Sequence, residues 1–441
     1  MSDDDIRNLL DDTLKRARQL GADEANVVYT RSEDVTAEVR GREGENKILR
    51  TDSTTISLEV YVGKRTAQVS LSTLRPDDLR EAVAEVVAAA KTMPENKWAG
   101  LADPSEIARS WPDLDLYDST RSDETELMCS ARAAEGLALL QPKVVSSEGG
   151  AASWSDANMI VMATNGFNAA IKRSSSSIVA NVIASENGKS EMAYDYSQAR
   201  HRSDLRSALL IGQEAGRKAA RMLGAREPKT GLYPVVFHPE VAASLLEEFV
   251  AAANGEAVTQ EQTFLRDKMG EQVFGAGITI KDNPHIRRGI GSRPFDGDGV
   301  PTQPLTLVEN GILKSWLLDL ESARELGLKN TGHAARGWVS NLFMQAGSVS
   351  PEELIADIGE GFYVMQLMGH GANTLTGDFS QGASGLWIKN GKLAYPVSGA
   401  TVAGTLQHMF LNAVPANDLD IMKNSVTAPT LRLPVMTVSG Q

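Results

Sequence analysis

Cysteine is almost missing from these 441 residues: Cys129 stands alone. That excludes an internal disulfide framework and any cysteine-rich zinc site, and it suits a reducing cytosol. Long apolar runs are missing as well, since no stretch approaches the 18 uninterrupted apolar residues of a spanning helix. Basic residues are the minority, with 44 Lys and Arg against 57 Asp and Glu and a net charge of −13. No run of five Lys or Arg occurs, so nothing neutralises duplex phosphates on the scale a DNA binder needs. The opening MSDDDIRNLL is acidic and lacks the basic and apolar regions of a secretory leader. These absences predict a soluble cytoplasmic protein that binds neither nucleic acid nor membrane.

The motif inventory is equally thin. Six histidines stand singly at 201, 238, 285, 333, 370 and 408, with no HExxH, His-x-His or Cys-x-x-Cys. The local zinc signatures are therefore absent. No G-x-S-x-G elbow, Walker A loop or GxGxxG after a strand is present. His238-Pro239-Glu240 places two possible ligands together, but Pro239 suits a first helical turn and Glu240 its dipole, so a helix start is the better reading.

What the chain has is ordinary globular composition, 42% apolar and 23% charged, in a length that predicts two or three domains. Asp3 to Asp5 can cap a helix with Ile6, Leu9, Leu10, Leu14, Ala17 and Leu20 at helical spacing. The runs NVVYT, DVTAEVR, TTISLEVYV and RTAQVSLS have strand character, the last two forming a hairpin at Gly63-Lys64, and Pro76-Asp77 opens a second helix. The order then recurs. A helix over 122–140 precedes WSDANMIVMAT, FNAAIKRSS, SIVANVIAS and SEMAYDYS, with turns at Asn165-Gly166 and Asn187-Gly188, and a helix over 204–223 closes the unit. GAREPKTGLYP, 224–234, is rich in turn formers and marks the main boundary. Beyond it, hairpin signals at Asn310-Gly311 and Asn390-Gly391 predict a β-rich region. The expected fold is α+β: a pseudo-duplicated helix and antiparallel-sheet N-terminal region, in units 1–117 and 118–226, then a β-rich, barrel-like C-terminal domain, 227–441.

Two glycine-dense stretches, LMGHGANTLTGDFSQGASG (367–385) and NTGHAARGW (330–338), permit positive φ and close backbone approach. They are read either as tight β-turns or as edges against which a peptide could lie. His333, His370 and Asp378 could serve there as acid, base or ligand. In SLLEEFVAAANGEAV, 244–258, Leu245, Leu246, Phe249, Val250 and Ala253 supply a helical apolar face. Glu247 and Glu248 lie about 100° apart on such a helix and cannot share one direction. No compact acidic cluster completes a Mg²⁺ or Ca²⁺ site around them.

Over nearly its whole length the chain resembles the TldD/PmbA family of metallopeptidases, TldE (PmbA) branch. The resemblance rests on RPFDGDGVPTQPLTLVENGILKSWLLDLESARELGLKNTGHA (293–334), LMGHGANTLTGDFSQGASGLWIKNGKLAYPVSGATVAGTL (367–406) and PVVFHPEVAASLL (234–246). It implies a helix that, in TldD-type chains, carries HExxxH. There two histidines and a later cysteine hold zinc, and the glutamate is the general base. At the matching positions this chain has Glu247 and Ala252 for the histidines and keeps only Glu248, and the C-terminal half contains no cysteine. The resemblance thus implies a degenerate site, with no catalytic residue and no metal assigned to this chain. It also implies a heteromeric complex with a TldD-like partner carrying the zinc, acting on unfolded or extended peptides.

A homodimer without that partner is a further expectation, because a two-fold interface can be reused by the same fold. Gly369, His370, Gly371, Gly382 and Gly385 are the expected peptide-binding positions, by strand addition. Two alternatives stand beside this reading. One is a peptidase active alone through Glu248, His333, His370 or Asp378; the other is a non-proteolytic regulator of the gyrase-modulator type.

Overall fold

The first helix begins where the sequence supplies a cap. Ser2 accepts from the Asp5 amide and Asp5 reaches back to the Ser2 amide, so the cap of α1 (Asp3–Gln19) lies one residue before the aspartates. Ile6, Leu10, Leu14 and Ala17 then share one buried face. The computed structural model describes residues 2–41, 46–333, 339–369 and 371–440. The first unit continues through β1 (Glu24–Val39), β2 (Lys47–Val62) and β3 (Arg65–Leu71) to α2 (Pro76–Ala90). After a connector the order recurs as α3 (Glu124–Leu139), β4 (Val144–Ala163), β5 (Asn168–Glu186), β6 (Lys189–Ala199) and α4 (Ala208–Met222).

The two repeats share one antiparallel sheet of order β3-β2-β1-β4-β5-β6, joined where β1 pairs with β4 from Asn26↔Ala163 to Val39↔Gly150. Two pairs of expected short strands are in fact continuous. NVVYT and DVTAEVR lie within β1, and the serine-rich 174–177 carries β5 unbroken from Asn168 to Glu186. Pairing with β4 runs through those serines, and Ser177 bonds Ser153 across the ladder at 2.7 Å. The four helices cover one face: α1 and α2 over Val27, Leu58 and Ile160, α3 and α4 over Ala37, Trp154 and Ala180. On the opposite face Val161, Ala169 and Ile171 bury against Phe295, Val300 and Leu320 of the C-terminal region.

That region runs β7 (Gly231–Phe237), α5 (Pro239–Ala252), α6 (Gly255–Thr259), β8 (Ile280–Asp282), β9 (Leu305–Glu309), β10 (Ile312–Leu313), α7 (Leu320–Leu326), β11 (Leu342–Met344) and α8 (Pro351–Ile355). It continues with β12 (Glu360–Met368), β13 (Asp378–Lys389), β14 (Lys392–Thr405), α9 (Leu406–Leu411), β15 (Val414–Pro415), β16 (Val426–Thr427) and β17 (Leu431–Gly440). Strands β14-β13-β12-β7-β17 close into a five-stranded barrel, because β14 also pairs with β17 from Ala400↔Gly440 to Ala403↔Thr437. Closure removes the free edges that an open sheet would expose. A second sheet has the order β10-β9-β8-β11-β16. At Asn390-Gly391 both residues take positive φ, 50° and 72°, the I′ geometry that matches strand twist. Among the described residues no helix is long and apolar enough to cross a membrane.

Helices α3 and α4 approach closely through Gly212, where a Cβ would fall on the Ala134 carbonyl oxygen. On an open helix Gly→Ala is stabilising by nearly 1 kcal/mol. Here Gly212→Ala is expected instead to destabilise by about 1–3 kcal/mol through overpacking, read from urea denaturation. A gain in stability would show that the helices can separate freely.

Candidate functional site: the helix α5 and the groove beside it

Helix α5 starts at a proline, with His238 as its cap: Nδ1 accepts from the Glu240 amide at 3.4 Å. Its apolar face is fixed by Leu245, Leu246 and Phe249, all buried, with Phe249 edge-on to Phe274 at 5.2 Å. That fixes the direction of every other residue on the helix. Glu247 is exposed and points into a groove. Glu248 points elsewhere, toward Gly371, where a Cβ would fall on Glu248 Oε1, with Gln381 Nε2 at 3.1 Å from the same point. Ala252 is fully buried in the core. Burial raises the carboxyl pKa of both glutamates. For Glu248 the Ala372 amide opposes the rise and the charge of Glu247 adds to it.

The remaining expected site residues are dispersed. His333 is buried, with Nε2 3.0 Å from Asp282 Oδ2 and Nδ1 2.9 Å from Thr331 Oγ1. Asp282 Oδ1 also accepts from the Ser340 amide at 2.8 Å. Asp378 is exposed at the start of β13 and accepts from Thr376 Oγ1 at 2.7 Å. Glu248, His333 and Asp378 therefore have separate partners, and no shared acid–base constellation joins them. His370 and residues 334–338 of the NTGHAARGW stretch lie outside the described residues.

Strand addition at Gly382 and Gly385 meets a physical obstacle. Gly382 pairs with both Met368 and Thr401, and Gly385 with both Val364 and Val397, so neither offers a free main-chain edge. Gly385 answers a packing need: a Cβ would fall on the Tyr363 carbonyl oxygen at the bulge in β12. Gly369 and Gly371 differ, lying in the β12–β13 connection rather than within the barrel ladder, with Gly371 against Glu248.

A feature not legible in the sequence lies along α5. Two adjoining pockets of about 320 and 390 Å³ share Tyr194, His238, Glu240 and Ser244. β6 and α4 form one wall, α5 and β12 the other. Across this groove Lys423 Nζ lies 2.7 Å from Glu240 Oε1, and Lys218 Nζ lies 2.9 Å from Asp195 Oδ1, while Arg206 pairs with Asp195 Oδ2. Burial pushes Glu240 upward, but the two lysines outweigh it and hold its carboxyl below the usual range. Burial pushes the His238 imidazole down to about 4; Glu240 resists, while Lys423 and Lys218 reinforce the fall.

His238 has a stability consequence. Above pH 6.5 the imidazole is neutral in both folded and unfolded chains. Below that the unfolded chain takes a proton that the folded chain refuses until about pH 4, so stability falls across this window. His238→Asn keeps a capping side chain without the titration. The wild type is expected to lose about 1–3 kcal/mol more than the variant between pH 7 and pH 4.5, measured by urea denaturation. Parallel losses in the two chains would remove His238 from the account.

Comparison with known proteins now places the chain. Residues 230–440 match the PmbA/TldA metallopeptidase C-terminal domain and residues 115–223 the central domain of the same family. The metalloprotease PmbA of Escherichia coli O157:H7 is 32% identical over 440 residues, covering 99% of this chain and 97% of that one. A Bacteroides thetaiotaomicron structure described as a candidate modulator of DNA gyrase superposes with a TM-score of 0.93 at 27% identity, covering 100% of both chains. TldE from Thermococcus kodakarensis shares the fold, with a TM-score of 0.85 at 21% identity over 98% of this chain and all of that one. A duplicated helix–sheet region, a closed C-terminal barrel and these full-length matches lead to one conclusion: the chain belongs to the PmbA/TldD family of metallopeptidases.

Proposed function

We propose that this chain is the TldE/PmbA-like subunit of a two-component metallopeptidase acting on unfolded peptides, and that the catalytic zinc resides in a TldD-like partner. The observation that carries the reading is the outward face of α5. A zinc site of this type needs three protein ligands converging on one point, leaving a position for water. At the corresponding place Glu247 and Glu248 diverge into different surroundings, and Ala252 offers only a buried methyl group. This donor set does not fit zinc. Among the described residues no group of three or more His, Cys, Asp or Glu is placed to hold a metal ion.

Within that role Glu248 has a different task. Its carboxylate packs against Gly371 and receives the Ala372 amide, tying the β12–β13 connection to α5. Gly369 and Gly371 then present main chain at that connection, where contact with an extended peptide needs no particular side chain.

The test is reconstitution. Peptide cleavage should require this chain together with a TldD-type partner, and the isolated chain should retain well under one equivalent of zinc after dialysis. One tightly held zinc per isolated chain, with cleavage abolished by Glu248→Gln, would overturn the assignment. Gly371→Val should displace Glu248 and lower turnover by the reconstituted pair several-fold while the two chains still co-elute. Unchanged turnover would remove this connection from peptide handling.

A further inference from the structure

Barrel closure removes the edges of the C-terminal strands, but the six-stranded sheet ends on an open one. β6 is the last strand of that sheet and pairs only with β5. Asn187 and Gly188 turn the hairpin with φ of 53° and 78°, the two-residue I′ geometry. Glu186 and Lys189 beside the turn exchange hydrogen bonds, and every second pair after them does the same. Lys189, Glu191, Ala193 and Asp195 therefore direct their main chain at β5, whereas Ser190, Met192, Tyr194 and Tyr196 direct theirs outward. Arg206 Nη1 donates to the Tyr196 carbonyl at 3.3 Å and closes that end. Among the described residues no main-chain group bonds to the outward edge at Met192 or Tyr194. Their side chains are exposed as well, at 61% and 45%. A bare apolar edge of this kind is a template for one more strand.

The groove along α5 runs beside this edge and has two unlike ends. At one, of about 320 Å³, four of the chain's 14 methionines gather: Met192, Met222, Met365 and Met368. Flexible, polarizable thioethers accommodate apolar side chains of varied shape. At the other, of about 390 Å³, Glu247, Asp418 and Asp420 line the wall with Lys423, which Glu240 already engages. Asp418 accepts from the Thr430 amide and hydroxyl at 2.8 and 2.7 Å, and Asp420 accepts from the Met422 amide at 3.0 Å. Neutral donors leave a carboxylate its charge. Among the described residues no cation pairs with Glu247, Asp418 or Asp420, so this end is negative. Met192 lines the first end, Tyr196 the second, and Tyr194 both.

We propose that the free edge of β6 takes up an extended peptide carrying a bulky apolar side chain and a lysine or arginine two residues apart. The proposal rests on the peptide-handling subunit reading and adds a place and a selectivity to it. Side chains on one face of a strand recur every ~6.8 Å. One then enters the methionine end of the groove while the next reaches the acidic end. Main-chain pairing with Met192 and Tyr194 gives affinity that any sequence can use, and the two ends add the preference.

The experiment uses the isolated full-length chain and end-capped fluorescent hexapeptides, read by anisotropy. A peptide with leucine at its second position and lysine at its fourth should bind saturably, one per chain. Glutamate in place of that lysine should weaken binding roughly tenfold. Glu247→Lys, a change at an exposed position, should weaken the lysine peptide by a similar factor and strengthen the glutamate peptide. Methylating the peptide amides one at a time should abolish binding at alternate positions only, the period of strand pairing. Equal affinity for the two peptides, an unmoved preference in Glu247→Lys, or no alternation among the methylated peptides would overturn the edge site. Neither cleavage nor a partner chain enters this test. Absent binding beside intact reconstituted cleavage overturns the edge site and leaves the subunit reading standing. Selective binding by a chain that never co-elutes with a TldD-type partner overturns the subunit reading and keeps the edge site.

Discussion

The orientation of α5 depends on one aromatic cluster. Phe249 stands edge-on to Phe274 at 5.2 Å and to Phe410 at 6.1 Å, and those two rings stack at 4.4 Å. Such packing adds to the burial of three large side chains and leaves the helix one rotational phase. With Phe249 inward, the 100° step per residue sends Glu248 and Glu247 in different directions and brings Ala252, three positions on, back to the core side. Ala252 thus faces the core, and Glu248 braces a neighbouring connection.

A second constraint comes from the fusion of the two N-terminal repeats into one sheet. Because β1 pairs with β4, the duplicated units share a single face toward the C-terminal region: the start of β5 buries against it, and β6 lines the groove along α5. The groove along α5 arises from segments far apart in the chain. Lys218 on α4, Glu240 on α5 and Lys423 near the C-terminus become one ionic network across the groove. Half-burial gives those charges more weight than surface pairs carry; His238, standing among them, is held neutral well below its ordinary titration chiefly by its own burial, with the two lysines adding to the fall and Glu240 opposing it.

Much of this protein was determined locally and was legible in the sequence. Helix caps, the hairpin at Asn390-Gly391, the repeated helix–strand order and the barrel-like C-terminal region follow from side chains acting on backbone a few residues away. The identity of the residues on α5, with glutamates at 247 and 248 and alanine at 252, is a matter of sequence alone. Local signals misjudged the serine-rich stretch of β5, since four serines have modest strand preference and only pairing with β4 carries the ladder through them. They also left Gly382 and Gly385 open as edges, whereas barrel closure pairs that strand on both sides. The groove and the bracing of Gly371 by Glu248 were decided by tertiary structure. Each depends on a distance between residues remote in sequence, and on the removal of water from between them, which no local pattern encodes.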